Sequence, residues 1–127
     1  MAKTRSTVRH CHVQSQTWKG NLVRFDIRGI LDSAAIPQMD REFTRRLEAG
    51  HDGFVVHLAQ LTGMTLAGGA ALTGHLRVIQ ERGGSVTLVQ PSPIVEEVFT
   101  TLGVFHLLHV VQDTAELIGA GSTKKGG

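Results

Sequence analysis

Apolar residues return at two different periods along this chain, and each change of period marks an element. From Val8 to Gln14 they alternate weakly with polar residues, and from Leu22 to Arg28 more clearly, with Leu22 and Val23 opening the run. Alternation of period two turns one face of a strand inward. Gly20-Asn21, inside the link Thr17–Asn21, is a hairpin signal between the two strands, and Gly29 closes the second. Asp32 and Ser33 are candidate helix caps, with Pro37 tolerated in the first turn. Ile36, Met39, Phe43 and Leu47 then repeat at helical spacing, while Gln38, Arg41, Glu42, Arg45 and Arg46 fill the opposite side. That pattern predicts one amphipathic helix.

Gly50 and Gly53 bracket the turn into Phe54–Leu58, an apolar run typical of a central strand. Leu61–Gly69 reads as a turn leading into a helix that carries Leu72, Leu76 and Ile79 and ends near Arg82, before Gly83-Gly84. Ser85–Gln90 is a further strand. Ser92 caps the next helix with Pro93 at its first position, Ile94, Val95, Val98, Phe99 and Leu102 form its buried face, and Gly103 stops it. Leu107–Val111 reads as an edge strand, and Asp113 with Glu116 resembles a capping box for a short last helix. The order β-β-α-β-α-β-α-β-α predicts an α/β fold: a mixed, mostly parallel sheet of about five strands with four helices. A basic tail (1–7), one domain (8–118) and a Gly/Lys tail (119–127) complete the organisation.

Composition narrows the function classes. The chain has 127 residues, 41% of them hydrophobic and 19% charged, enough for a core that needs neither disulfide nor metal. A single cysteine, Cys11, excludes an internal disulfide framework and suits a reducing compartment. Neither an apolar leader nor a run of membrane-spanning length is visible, so a cytoplasmic location without membrane insertion is expected. The net charge of +2 comes from the ends: Lys3, Arg5, Arg9, Lys124 and Lys125 lie outside the body, and Trp18–Ile118 is net acidic. A nucleic-acid binder would place its basic residues on the folded part, so no nucleic-acid partner is expected.

Catalytic and metal constellations are sparse. His10 and His12 share one face of a strand with Cys11 on the other, which gives two ligands where structural zinc needs four. His106 and His109 fall where a turn meets a strand, and His57 reads as a satisfied histidine on the central strand. Gly68, Gly69 and Gly74 lack the Gly-Lys-Ser/Thr of a phosphate loop, and Glu96-Glu97 suit the positive end of a helix. Neither enzyme activity, cofactor nor metal is expected. The run Gly68-Gly69-Ala70-Ala71 either packs against the sheet or lets another surface approach.

Three segments together resemble the STAS domain family, the bacterial anti-sigma factor antagonists. Gly29-Ile30-Leu31-Asp32 matches a Gly-Glu-Leu-Asp signature without its glutamate. Leu61–Leu72 is similar to the segment that contains Asp-Ser-Ser-Gly, and Gly83–Pro93 with Leu102-Gly103-Val104 matches a Gly-Gly, strand, Ser-Pro, Thr-Gly-Leu pattern. The resemblance implies a STAS-like fold and a site at the start of the second helix, where a partner kinase phosphorylates a serine in regulated members. Carried over by position, the aspartate becomes Thr65, the serines become Leu66 and Ala67, and the glycine is Gly68. Ala67, at the position of the family serine, cannot accept phosphate, so the usual phosphoserine switch is expected to be absent. Thr62 and Thr65 are the remaining hydroxyls. Thr65 is either a substitute acceptor or simply the helix cap, and Asp32 either a cap or a partner contact.

The expected function is therefore a non-catalytic interaction module that regulates a protein partner, of the anti-sigma factor or serine-kinase type, by direct binding without the usual phosphoserine switch. Asp32, Met64, Thr65, Leu66, Ala67, Gly68 and Gly69 are the expected partner-binding residues. Alternatives are a small STAS subunit of an ABC-type lipid transport assembly, or a module sensing an anion or nucleotide at the second helix's start. A homodimer is compatible with each.

Overall fold

In the computed structural model of the chain, residues 10–112 are described. The elements are β1 (Cys11–Lys19), β2 (Leu22–Leu31), α1 (Ile36–Glu48), β3 (Gly53–His57), β4 (Leu61–Met64), α2 (Leu66–Glu81), β5 (Ser85–Val89), α3 (Pro93–Thr101) and β6 (Val110–Val111), with 3-10 turns at Ser33–Ala35 and Phe105–Leu107. The sheet order is β1-β2-β3-β5-β6, with β4 also on β2. Among the described residues only the β1–β2 hairpin is antiparallel. The α/β class with a mixed, mostly parallel sheet is as read from the sequence.

The count of elements differs. Six strands and three α-helices occur among the described residues. The expected last helix from Asp113, and both tails, lie outside them. The additional strand is β4, read above as a turn. It steps past the end of β3 and pairs with Gly29–Leu31 on the same side of β2 that holds β3 at Leu22–Asp26. Among the described residues β1 spans Cys11–Lys19, longer at its end than the expected Gln14, and turns at Gly20 with φ +57°; the expected start at Val8 lies outside them. The expected edge strand Leu107–Val111 shortens to Val110–Val111.

Gly29 does not close β2. It holds φ +93° within the strand, where an added Cβ would lie 2.0 Å from the His10 carbonyl oxygen. The register with β4 shifts beside it, and Ile30 N–H donates to His10 C=O at 2.7 Å. A glycine bulge thus lets β2 continue to Leu31, which receives the bend before α2.

The core lies between the sheet and the helices. Phe25 stacks on Phe43 with centroids 4.1 Å apart, and Phe54 packs at 5.8 and 6.0 Å from these rings. Val23, Ile27, Val56, Leu88, Met39, Leu72, Leu76, Val95 and Phe99 join the same cluster. Burying such side chains contributes about 1.5–3 kcal/mol each, and this term holds α1, α2 and α3 on one face. On the other face Val55, Val89 and Val111 cluster with Trp18 and Leu22. His75 joins α2 to α1: its ring stacks on Phe43 at 4.8 Å, and its Nε2 lies 2.5 Å from Asp40 Oδ1.

Candidate partner-binding surface

The bend between β4 and α2 is tied to the end of β2. Thr65 is extended (φ −88°, ψ 166°), and its N–H donates to the Leu31 carbonyl at 3.0 Å. Its hydroxyl oxygen accepts from Gly68 N–H at 3.0 Å and lies 3.5 Å from the same carbonyl. A threonine here satisfies one of the unpaired amides at the helix start, and α2 has no acidic residue in its first turn. Asp32, half-buried just beyond Leu31, accepts from Ala34 N–H at 3.1 Å and caps the 3-10 turn that leads into α1. Both residues thus act as caps.

The seven expected contact residues separate by accessibility. Leu66 is 52% exposed, and Thr65 and Ala67 are also exposed. Met64, at 8%, belongs to the core, which corrects its assignment as a contact side chain. Gly68 and Gly69 are buried too. A Cβ at Gly68 would meet the Leu31 carbonyl oxygen at 2.2 Å, and one at Gly69 would meet Val98 Cγ1 at 2.7 Å and Met64 Sδ at 3.1 Å. These glycines let α2 settle on β2 and α3, so the small-residue run serves internal packing at these two positions. Ala70 is exposed.

Two further apolar side chains occupy this end of the sheet. Ile30, 40% exposed, pairs in register with Gly63 of β4. Ile94, 49% exposed, lies in the first turn of α3, which packs against β4. Periodicity assigned Ile94 to a buried face. The chain order gave no sign that Ile30, Leu66 and Ile94 share one end of the sheet, because it depends on β4.

The remaining candidates stand apart. His57, half-buried, is opposite Asp26 in register, and Asp26 accepts from Arg24 at 3.0 Å. Burial and the Arg24 charge hold its imidazole below the ordinary value, with Asp26 acting in the opposite sense. Burial and the charge of Asp32 push the Cys11 thiol up, so it stays protonated at neutral pH. His10 and His12 are exposed while Cys11 points into the core. His109 Nδ1 lies 3.4 Å from Thr87 Oγ1. Among the described residues no helix is long and apolar enough to cross a membrane.

A family model for the STAS domain matches residues 14–117. The structure is similar to that of the anti-sigma factor antagonist SpoIIAA in its unphosphorylated form, at 22% identity and a TM-score of 0.71, over 84% of this chain and 93% of that one. It is similar to the Bacillus cell fate determinant SpoIIAA in its phosphorylated form, at 21% identity and a TM-score of 0.68, over 85% and 97%. A serine-to-glutamate variant of RsbS from Moorella thermoacetica superposes with a TM-score of 0.74 at 16% identity, over 89% and 97%. At these identities the likeness is one of fold. No curated protein matches the sequence.

Proposed function

Since this chain belongs to the STAS domain family, we propose that it is a non-catalytic interaction module. It regulates a partner of the anti-sigma factor or serine-kinase type by direct binding, and no phosphoserine controls it. The observation that carries this reading is the exposure of Leu66 beside Ala67 in the first turn of α2, on a bend anchored to Leu31. An exposed leucine on a rigid backbone is a low-entropy anchor for a partner. With alanine where regulated relatives carry serine, no phosphate charge can displace the partner from that anchor. Ile94 lies exposed in the first turn of α3, which packs against β4, and Thr65 and Asp32 hold the bend in shape.

Capture of an anti-sigma factor kinase by the purified chain, compared with Leu66→Asp, tests the reading. An acidic residue is favourable at a helix N-terminus, so this substitution leaves α2 intact while placing a charge in the contact. Loss of capture is the expected result. Undiminished capture by Leu66→Asp would remove the bend as the docking surface, and co-purification with a transport ATPase in place of a kinase would move the partner class.

A further inference from the structure

The outer edge of β1 carries an unused and symmetric set of groups. Among the described residues β1 pairs with β2 on one side and ends the sheet on the other. At its beginning the free edge is occupied by a side chain: Val13 N–H donates to Gln38 Oε1 at 2.8 Å, and Gln38 Nε2 donates to the Cys11 carbonyl at 3.3 Å. These bonds establish that the odd-numbered residues of β1 direct their backbone groups outward. His10 C=O, which accepts from Ile30 N–H, shows the even-numbered ones facing β2. Beyond Gln38, the Val13 carbonyl, both backbone groups of Ser15 and the Thr17 amide point outward with no partner among the described residues.

That open stretch is centred on Ser15, and so is a pair of opposite charges from α1. The Ser15 hydroxyl donates to Glu42 Oε2 and accepts from Arg46 Nε at 2.8 Å, while Arg46 Nη1 donates to Thr17 Oγ1 at 3.1 Å. Arg45 pairs with Glu42 at 2.5 Å. Burial alone would raise the Glu42 pKa, but hydrogen bonds from Ser15 and Arg45 and the charges of Arg45 and Arg46 hold it below its ordinary value. A shallow groove of about 410 Å³ follows the edge along Val13–Gln16, with Asp26 and Glu42 at its sides.

We propose that this edge pairs antiparallel with the β1 edge of a second copy of the chain, about a two-fold axis at Ser15. In an antiparallel ladder, facing residues of the outward set exchange both backbone bonds. Ser15 N–H then donates to the second copy's Ser15 carbonyl and the reverse; on either side Thr17 N–H donates to the second copy's Val13 carbonyl, and Val13 N–H exchanges its bond to Gln38 Oε1 for the second copy's Thr17 carbonyl. An isologous contact must be complementary to itself. The axis meets that condition, because a carboxylate and a guanidinium both lie against Ser15: Glu42 of each copy faces Arg45 and Arg46 of the other. A peptide of one charge sign would leave half of these groups unmatched. Such pairing is edge augmentation of a strand whose outer side only Gln38 covers among the described residues, and it leaves Leu66 and the bend uninvolved.

Sedimentation velocity of the wild-type chain over a concentration series is the test. The expected result is a rise from the 13.7 kDa monomer toward twice that mass. Amide hydrogen exchange should show Ser15 and Thr17 gaining protection at high concentration, an arm that requires no substitution. Glu42→Arg and Arg46→Glu should each sediment as monomers alone and recover the dimer when mixed, since the two variants complement one another across the axis. A wild-type chain that stays monomeric to about 1 mM overturns the proposal. So does a dimer in which the Ser15 and Thr17 amides exchange at the monomer rate.

Discussion

A Cβ on Gly68 would lie 2.2 Å from the carbonyl oxygen of Leu31. The first turn of α2 therefore rests directly on the last residue of β2, closer than any side-chain-bearing residue permits. Gly68→Ala must push helix and strand apart, and forced overpacking of this kind costs about 1–3 kcal/mol. Urea denaturation should show a lower midpoint at unchanged slope. Ala70→Ser, at an exposed position on the same helix, should stay within about 0.5 kcal/mol of the wild type. Equal effects of the two would contradict the close approach.

Thr65 stabilises the bend through its hydroxyl. Thr65→Ala leaves Gly68 N–H without its acceptor and should cost about 1 kcal/mol, whereas Thr65→Ser keeps the oxygen and should lie close to the wild type. Thermal unfolding of the three chains separates capping from a purely steric role, in which serine would fail as alanine does.

Ala67→Ser restores a hydroxyl at an exposed position of the α2 first turn. The fold should be unaffected, and under the proposed function a partner kinase should modify residue 67 and release it, since a phosphate introduces charge and desolvation cost into an apolar contact. Intact-mass analysis after incubation with kinase and ATP checks this. Modification of the wild-type chain at Thr62 or Thr65 would contradict a contact free of a phosphoswitch.

His57 gives stability a pH dependence of defined sign. Burial and Arg24 lower its pKa from an ordinary value of 6.5, so the folded chain binds fewer protons than the unfolded chain in the window below that value. Its contribution is complete above pH 6.5 and is lost as the pH falls through that window. Glu42, also lowered, acts in the same direction further down: its contribution is present above its ordinary 4.5 and lost as the pH falls through the folded value. Chemical denaturation between about pH 5 and 8 should show stability falling toward acid, and His57→Gln should flatten the upper part of the slope. A curve unchanged by that substitution would assign the slope to other groups.

Local pattern carried much of this fold. Phe43 and Met39 are buried at the spacing that marked α1 as amphipathic, and Thr65 and Ser92 cap the helices they precede. Such features depend on a few neighbouring residues. β4 escaped notice because four residues containing Thr62 and Gly63 have no periodicity to detect. They are a strand only because the Gly29 bulge extends β2 far enough to pair with them. The burial of Met64 was hidden for the same reason: the register shift beside Gly29 lets both Leu61 and Met64, three residues apart, reach the core.

Chain order alone determined an α/β fold of alternating strands and helices, the family resemblance, and an alanine at residue 67, where that resemblance implies a serine, because each follows from spacing and residue type. Tertiary structure decided which of the expected contact residues reach solvent, leaving Leu66 and Ala67 outside and turning Met64, Gly68 and Gly69 inward. It also brought Ser15, Glu42 and Arg46 together on the sheet's free edge. The difference is physical: helix and strand signals are local, whereas exposure and clustering depend on pairings between residues far apart in the chain, which no local window contains.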